Sequence, residues 1–197
     1  MHILARLALL SVMTVLLATG AAAHTGVGDL SGFVSGFAHP LLGPDHLIAM
    51  VAVGMWGAFL GPPAIWLLPV VFPLVMTFGG VLGIIGVPLP GVEVGIATSA
   101  IVLGAMVALA ATPPLWIAAV LVGLFAIFHG FAHGAELPKA ADPVHYALGF
   151  VTATGLLHLL GIGFGLLAAF APGRLVVRAS GAAISLAGMF FLVNSAS

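Results

Sequence analysis

The sequence contains no cysteine and very few charged side chains. Its 197 residues include 4 Lys or Arg and 5 Asp or Glu, so 5% of the chain is charged, whereas soluble domains average about 25%. Without cysteine, disulfides, thiolate metal sites and thiol nucleophiles are excluded. A formal net charge of −1 with only four basic residues argues against nucleic acid as a partner.

Apolar residues fill the space that charges leave. The chain is 62% hydrophobic and has a mean hydropathy of +1.33. This composition predicts an all-α integral membrane protein that sits in the lipid bilayer as one compact bundle. Against this background the 8 histidines are unexpected, because polar groups beside lipid need a compensating interaction.

Residues 1–23 have the pattern of a secretory signal peptide. Arg6 supplies the positive start, residues 7–17 form the apolar core, and three alanines at 21–23 provide a small-residue cleavage site. We predict cleavage, which leaves residues 24–197 as the membrane domain. The alternative is an uncleaved first helix, although the apolar run is short for a span of about 20 residues.

Pro and Gly turns divide the remaining chain into six predicted transmembrane helices. Residues 24–38 are Gly-rich and read as a lead-in or a partly inserted segment. The first span follows a break that we assign to Pro40, Gly43 and Pro44. The predicted spans are 45–60, 64–87, 93–111, 115–136, 144–170 and 174–193.

The signal peptide fixes the predicted topology. With the mature N-terminus outside a bacterial cytoplasmic (inner) membrane, odd spans run inward and even spans run outward. Arg174 and Arg178 then lie on the cytoplasmic side, as the positive-inside rule prefers. In this multi-pass arrangement most polar side chains of the spans fall at the outer end.

The fourth span carries His129, His133 and Glu136 at positions i, i+4 and i+7. On a helix they lie within an arc of roughly 60°, so all three face one point. Imidazole nitrogen with carboxylate oxygen suits divalent ions such as Ni, Co, Zn and Mn. The alternative is that the histidines only bond neighbouring helices. A buried carboxylate without a cation is costly, which favours the metal.

The stretch 39–46 reads HPLLGPDH and places His39 and His46 on either side of the Pro/Gly break. Asp45 precedes His46 directly, so their side chains leave the helix about 100° apart. We expect one of them to face the ion while the other orients a ligand. Asp45 as a simple helix cap is the alternative. The sequence GFAH of residues 36–39 also recurs at 130–133.

Four further polar residues are open to two readings. Glu93 begins the third span at the same depth, either as a site carboxylate or as an acidic residue at a helix N-terminus. His145 is a loop residue or an entry ligand. His158, in the middle of the fifth span, forms an interhelical bond or a deeper relay. His24 is a metal ligand through its freed amine and ring, or an ordinary N-terminal residue.

The segments 39–46 and 128–136 (FHGFAHGAE) together resemble the motifs of the HupE/UreJ family of nickel permeases. The family pattern is met in full, and the signal peptide and six spans match as well. The resemblance implies Ni²⁺ uptake for hydrogenase or urease maturation, with Co²⁺ as a second ion and no prosthetic group. It implies functional roles for residues in these motifs, and by span and depth for two others. The motif residues are His39, Asp45, His46, His133 and Glu136, and the two others are Glu93 and Phe72.

We therefore predict a secondary permease for a divalent metal ion rather than an enzyme. The sequence has no phosphate-binding loop, so the drive is expected from an ion gradient, the membrane potential or trapping of the metal inside. The rival hypothesis is a membrane-embedded Zn-dependent hydrolase with a carboxylate as general base. A purely structural subunit is the third hypothesis. No oligomeric state is predicted.

Overall fold

The computed structural model describes residues 28–138 and 141–195, and this part of the chain is all-helical. The predicted signal peptide and His24 lie outside the described residues. A short 3₁₀ helix, Leu166–Ala169, connects the last two of the seven described α-helices. The α-helices are α1 Gly28–Leu42, α2 Pro44–Leu60, α3 Ala64–Ile84, α4 Val92–Ala108, α5 Leu115–Ala135, α6 Pro143–Gly165 and α7 Ala171–Ser195.

The lengths and apolar composition of these helices are those of a multi-pass membrane protein. Four described helices are long and apolar enough to cross a membrane: α3, α5, α7, and α6 with its 3₁₀ extension. The bent pair α1 and α2 adds a fifth when it is taken as one span. Helix α4 is apolar but has 17 residues. The all-helical class is confirmed, and the count of six spans stays a prediction.

The chain turns sharply at Gly43. The segments Gly32–Leu42 and Pro44–Leu60 meet at an angle of 82°. A proline disfavours helical geometry in the residue before it, and Gly43 has the extended values φ −91° and ψ 99°. Pro44 then fits the first turn of α2, where no N–H is needed. The predicted Pro/Gly break of the first span is therefore present.

One sequence expectation for this region needs correction. Pro40 does not break the chain, because α1 continues through it to Leu42. Because Pro40 lies close to the end of α1, its missing N–H removes only one backbone hydrogen bond of the last turns. The segment predicted as a lead-in is helical from Gly28 onward.

The other helix boundaries follow the predicted spans to within a few residues. The main differences are at the ends of the second, third and fifth spans and at the start of the sixth, and the helix of the second span, α3, ends at Ile84. Helix α4 stops at Ala108, and α6 gives way to the 3₁₀ turn after Gly165. Helix α7 starts at Ala171 because Pro172 in a first turn leaves no backbone bond unmade.

Helix α2 lies at the centre of the bundle. Its buried residues include Met50, Val53 and Trp56, and it packs against α3, α4 and α6. Around it, α3 packs chiefly against α5, α4 against α7, and α1 against α6. Helices α3 and α6 touch each other much less, so a seam runs between them. The buried polar side chains of the described residues are His46, Ser99, His129, His133, Thr154 and His158.

Candidate functional site

Four histidines from three helices meet inside the bundle. The ring of His46 in α2 lies 4.8 Å, centroid to centroid, from both His129 and His133 of α5. His39 of α1 lies 4.8 Å from His133 and 6.5 Å from His46. We call these four residues the histidine cluster. Residues that are 90 positions apart in sequence therefore form one group around His46.

The repeated sequence GFAH explains how two of these rings arrive there. A Cβ atom added at Gly36 would collide with the carbonyl oxygen of Tyr146 in α6, and one added at Gly130 with that of Met76 in α3. Each glycine thus lets its helix press against a neighbour. The histidine three residues later, His39 or His133, shares that inward side of the helix.

Two carboxylates lie beside the cluster, each paired with one ring. Oε2 of Glu136, at the C-terminal end of α5, is 3.1 Å from Nε2 of His39. Oδ1 of Asp45 is 3.0 Å from Nδ1 of His46 and accepts the backbone N–H of His46 at 2.9 Å. Because a carboxylate accepts, the Nδ1–H of His46 points to Asp45 and its Nε2 is left for another partner. This matches the expectation that one of these two residues orients the other.

The exposure of the side chains falls steadily along the group. Glu136 is 57% exposed and His39 27%, whereas His46 is 11% exposed. His129 and His133 are completely buried. The cluster therefore connects the protein surface to the interior, with a carboxylate at its mouth.

Ser99 of α4 fixes the protonation of the deepest ring. Its hydroxyl donates to the carbonyl oxygen of Ile96 at 2.6 Å, so it accepts from Nε2–H of His129 at 2.8 Å. Nδ1 of His129 then carries the lone pair. Ser99 was not among the predicted site residues, although the pair Thr98 and Ser99 amid the apolar residues of the third span was a signal.

Several buried nitrogens of the cluster have no hydrogen-bond partner among the described residues. They are Nε2 of His46, Nδ1 of His129 and both ring nitrogens of His133. Leaving such a group unpaired costs about 1–3 kcal/mol. Unpaired imidazole nitrogens on neighbouring rings are suited to bind a cation through their lone pairs.

The cluster does not have the shape of a finished coordination shell. Within residues 28–138 and 141–195, no group of three or more His, Asp or Glu side chains is arranged to hold a metal ion as it stands. Metal–imidazole bonds of about 2.0–2.1 Å require the nitrogens to converge. The rings would have to turn about their side-chain bonds to bind one ion together.

Phe72 and His158 lie directly beneath the cluster. The ring of Phe72 in α3 is 5.5 Å from that of His129 and 5.3 Å from that of His158 in α6. Nδ1 of His158 lies 3.3 Å from the carbonyl oxygen of Pro69. Both residues were expected only as accessory positions; Phe72 contacts the cluster at His129, and His158 contacts Phe72.

Glu93 and His145 are not brought into the cluster. Glu93 is exposed at the start of α4, and no hydrogen bond or ion pair found among the described residues links it to the four histidines. His145 pairs instead with Asp142, with 2.8 Å between Nδ1 and Oδ1. Asp142 caps α6 by accepting the N–H groups of Val144 and His145. The hydrogen bonds from the backbone and ring of His145 hold the pKa of Asp142 below its usual value.

Comparison with known proteins gives one consistent result. The model of a family described as "HupE / UreJ protein" matches residues 12–191. The chain is 45% identical over 179 residues to Protein HupE of Rhizobium leguminosarum bv. viciae, and this alignment covers 90% of the chain and 94% of that protein. No solved structure gives a significant match.

Proposed function

The chain belongs to the HupE/UreJ family, and we propose that it is a secondary transporter for Ni²⁺, with Co²⁺ as a second ion. The observation that carries this proposal is the closeness of three buried rings, with His129 and His133 each 4.8 Å from His46, whose nitrogens include several without a hydrogen-bond partner among the described residues. Neutral imidazole is a favoured ligand for both ions. The ion is the transported substrate, and no prosthetic group is needed.

The orientation and membrane are part of the same proposal. Residues 1–23 act as a cleaved signal peptide, and six spans follow in the bacterial cytoplasmic membrane with the mature N-terminus outside. The break at Gly43 and the end of α5 then lie at the outer side. Glu136 and His39, the more exposed members of the site, form the entrance there.

The entrance attracts the ion and starts to remove its water. The Glu136 carboxylate is a hard anionic ligand that an aquated divalent cation meets first. His39, which is paired with it at 3.1 Å, lies next to His133. The ion can exchange water for imidazole in steps, so that no step leaves it without ligands.

In the interior, neighbouring groups set the tautomers of two of the histidines that would bind the ion. Asp45 and Ser99 accept N–H groups of His46 and His129, and this sets which nitrogen of each ring has the lone pair. His133 has no hydrogen-bond partner among the described residues, and its ring stacks on Phe150 at 5.3 Å. We assign His46, His129 and His133 as ligands, Asp45 and Ser99 as positioning residues, and Glu136 and His39 as the entrance.

Nickel-63 accumulation in cells that express the protein tests this function. The wild-type chain should accumulate Ni²⁺ in a saturable way, and His46→Ala and His133→Ala should each lower uptake by roughly tenfold or more. His145→Ala is the matched control, because His145 lies outside the cluster and pairs with Asp142. Purified protein that retains Zn²⁺ tightly while cells gain no nickel would instead support the membrane-embedded hydrolase.

A further inference from the structure

Helix α6 buries a second set of polar atoms that is separate from the histidine cluster. His158 is 1% exposed and Thr154 is fully buried. Among the described residues, Nε2 of His158 and Oγ1 of Thr154 have no hydrogen-bond partner. The two residues are four positions apart on one helix and therefore lie on the same face. The cluster described above uses neither of them.

Two prolines of α3 prepare a third polar atom at this place. Pro73 has no N–H, so the carbonyl oxygen of Pro69, four residues earlier, lacks its helical partner. This oxygen lies 3.3 Å from Nδ1 of His158. A carbonyl can only accept, so Nδ1 carries the proton and the lone pair of His158 is on the unpaired Nε2. The prolines thereby set the ring of His158 as Asp45 and Ser99 set those of His46 and His129.

Phe72 separates this group from the histidine cluster. Its fully buried ring contacts both groups, with its centre 5.5 Å from that of His129 and 5.3 Å from that of His158. An aromatic ring between two polar groups blocks a hydrated ion, and moving the ring would join the two groups. His158 is thus the next imidazole that an ion leaving His129 would meet.

The packing of the helices allows such a movement. Helix α6 is fixed to α2, because a Cβ added at Gly54 would collide with the backbone oxygen of His158. Helix α3, which carries Phe72, packs chiefly against α5 and only loosely against α6. A groove of about 360 Å³ lies along this seam, and Pro69 and His158 are among its lining residues.

We propose that Nε2 of His158 and Oγ1 of Thr154 form a second binding station for the transported divalent cation, with the Phe72 ring as the barrier between this station and the histidine cluster. The inference rests on the proposed function. It divides transport into two stages: capture by the histidine cluster, and transfer past Phe72 to His158 for release on the other side.

Two measurements on the full chain test the proposal, with Ni²⁺ alone as the probe. The first is nickel-63 uptake into proteoliposomes, and the second is equilibrium dialysis of Ni²⁺ against the purified protein. For His158→Gln we expect uptake to fall about tenfold or more, while capture by the cluster persists and one bound Ni²⁺ per chain is lost. Glutamine keeps an N–H donor for the Pro69 carbonyl, so a purely structural role of His158 predicts near-normal uptake. Near-normal uptake by His158→Gln would therefore overturn the proposal.

Thr154→Val is the second variant, because it keeps the shape of the side chain and serves even if His158→Gln fails to fold. We expect it to slow uptake at saturating Ni²⁺ several-fold. Thr152→Val is its matched control, since the Thr152 hydroxyl is exposed and bonded to the carbonyl of Leu148. Equal uptake in both threonine variants contradicts the second station. If the wild-type protein neither binds nor transports Ni²⁺, the proposed function itself fails. If the wild type transports Ni²⁺ and the variants do so equally well, only the second station fails.

Discussion

The hydroxyl of Ser99 in α4 accepts a hydrogen bond from Nε2 of His129 in α5 over 2.8 Å. The same hydroxyl donates to the carbonyl of Ile96, so its direction is fixed by its own helix. One serine thus decides which nitrogen of a fully buried ring is free. Such an outer partner of a ligand typically changes metal affinity about 10–100-fold when it is removed.

Ser99→Ala should raise the half-saturation concentration for Ni²⁺ uptake by about tenfold. Without the hydroxyl, His129 loses its fixed tautomer and its Nε2–H remains buried without a partner. The measurement is initial nickel-63 uptake over a range of concentrations. Ser185→Ala is the control, because the Ser185 hydroxyl also bonds a helix carbonyl, that of Ile101, and makes no hydrogen bond to a histidine in the described part of the chain. An unchanged half-saturation value in Ser99→Ala would remove Ser99 from the site.

Asp45→Asn should abolish most uptake, by about tenfold or more, while Asp142→Asn should preserve it. Both aspartates accept from Nδ1 of the histidine that follows them, at 3.0 Å for Asp45 and 2.8 Å for Asp142. Only the Asp45 pair belongs to the histidine cluster. Comparing the two variants shows whether uptake depends on where the Asp–His pair lies or only on the presence of such a pair. Similar uptake in the two variants, at equal protein levels, would contradict the role assigned to Asp45.

The stability of the folded protein should depend on pH through Asp142. Hydrogen bonds from His145 lower the pKa of the folded carboxyl. The carboxylate therefore stabilises the fold above its unfolded pKa of about 3.9, and this stabilisation disappears as the pH falls through the lowered folded value. Asp142→Asn should lower the melting temperature at pH 7 in detergent, and the difference from wild type should shrink toward pH 3. A difference that grows on acidification would contradict this linkage.

The meeting of His39, Asp45 and His46 with the fourth span was predictable from the sequence. The helical spacing of His129 and His133 puts both rings on one face, and the Pro/Gly break brings the first stretch to the same depth. The structure accordingly places His46 against both rings at 4.8 Å. These relations depend on helix periodicity and chain direction, which a sequence expresses directly.

Other parts depend on packing between helices, which periodicity does not reveal. Helix α1 is Gly-rich and only weakly apolar, and its glycine Gly36 acts through close contact with Tyr146 of α6. The role of Ser99 follows from the way α4 lies against α5. Glu93 is exposed at the start of α4, and its predicted role at the site, which was inferred from its depth alone, stays a prediction.

Gly130→Ala should lower the stability of the folded protein by about 1–3 kcal/mol, which is typical of an overfilled core. The new methyl group would collide with the carbonyl of Met76 and push α5 away from α3. Gly155→Ala is the matched control, since no heavy atom lies within 4 Å of a Cβ at that position of α6. It should be neutral or stabilising by about 0.5–1 kcal/mol. Thermal unfolding in detergent measures both, and equal stability of the variants would refute the close contact.

Uptake should fall when the external pH drops below about 6. An imidazole must be neutral to bind a metal, and a histidine in water takes up its second proton near pH 6.5. His39, at the mouth, is 27% exposed and meets external protons first. Lower pH therefore reduces capture of the ion, and raising the Ni²⁺ concentration should restore uptake, because protons and metal compete for the same lone pairs.

Proteoliposomes with a clamped membrane potential and a buffered interior make this measurement clean, since the outside pH then changes only the site. The His145→Ala variant should show the wild-type pH profile, because its ring is bonded to Asp142 outside the cluster. Uptake that is the same at pH 5 and pH 7 would rule out neutral histidines as the entry ligands. A loss that extra Ni²⁺ does not reverse would place the pH effect on a later step than capture.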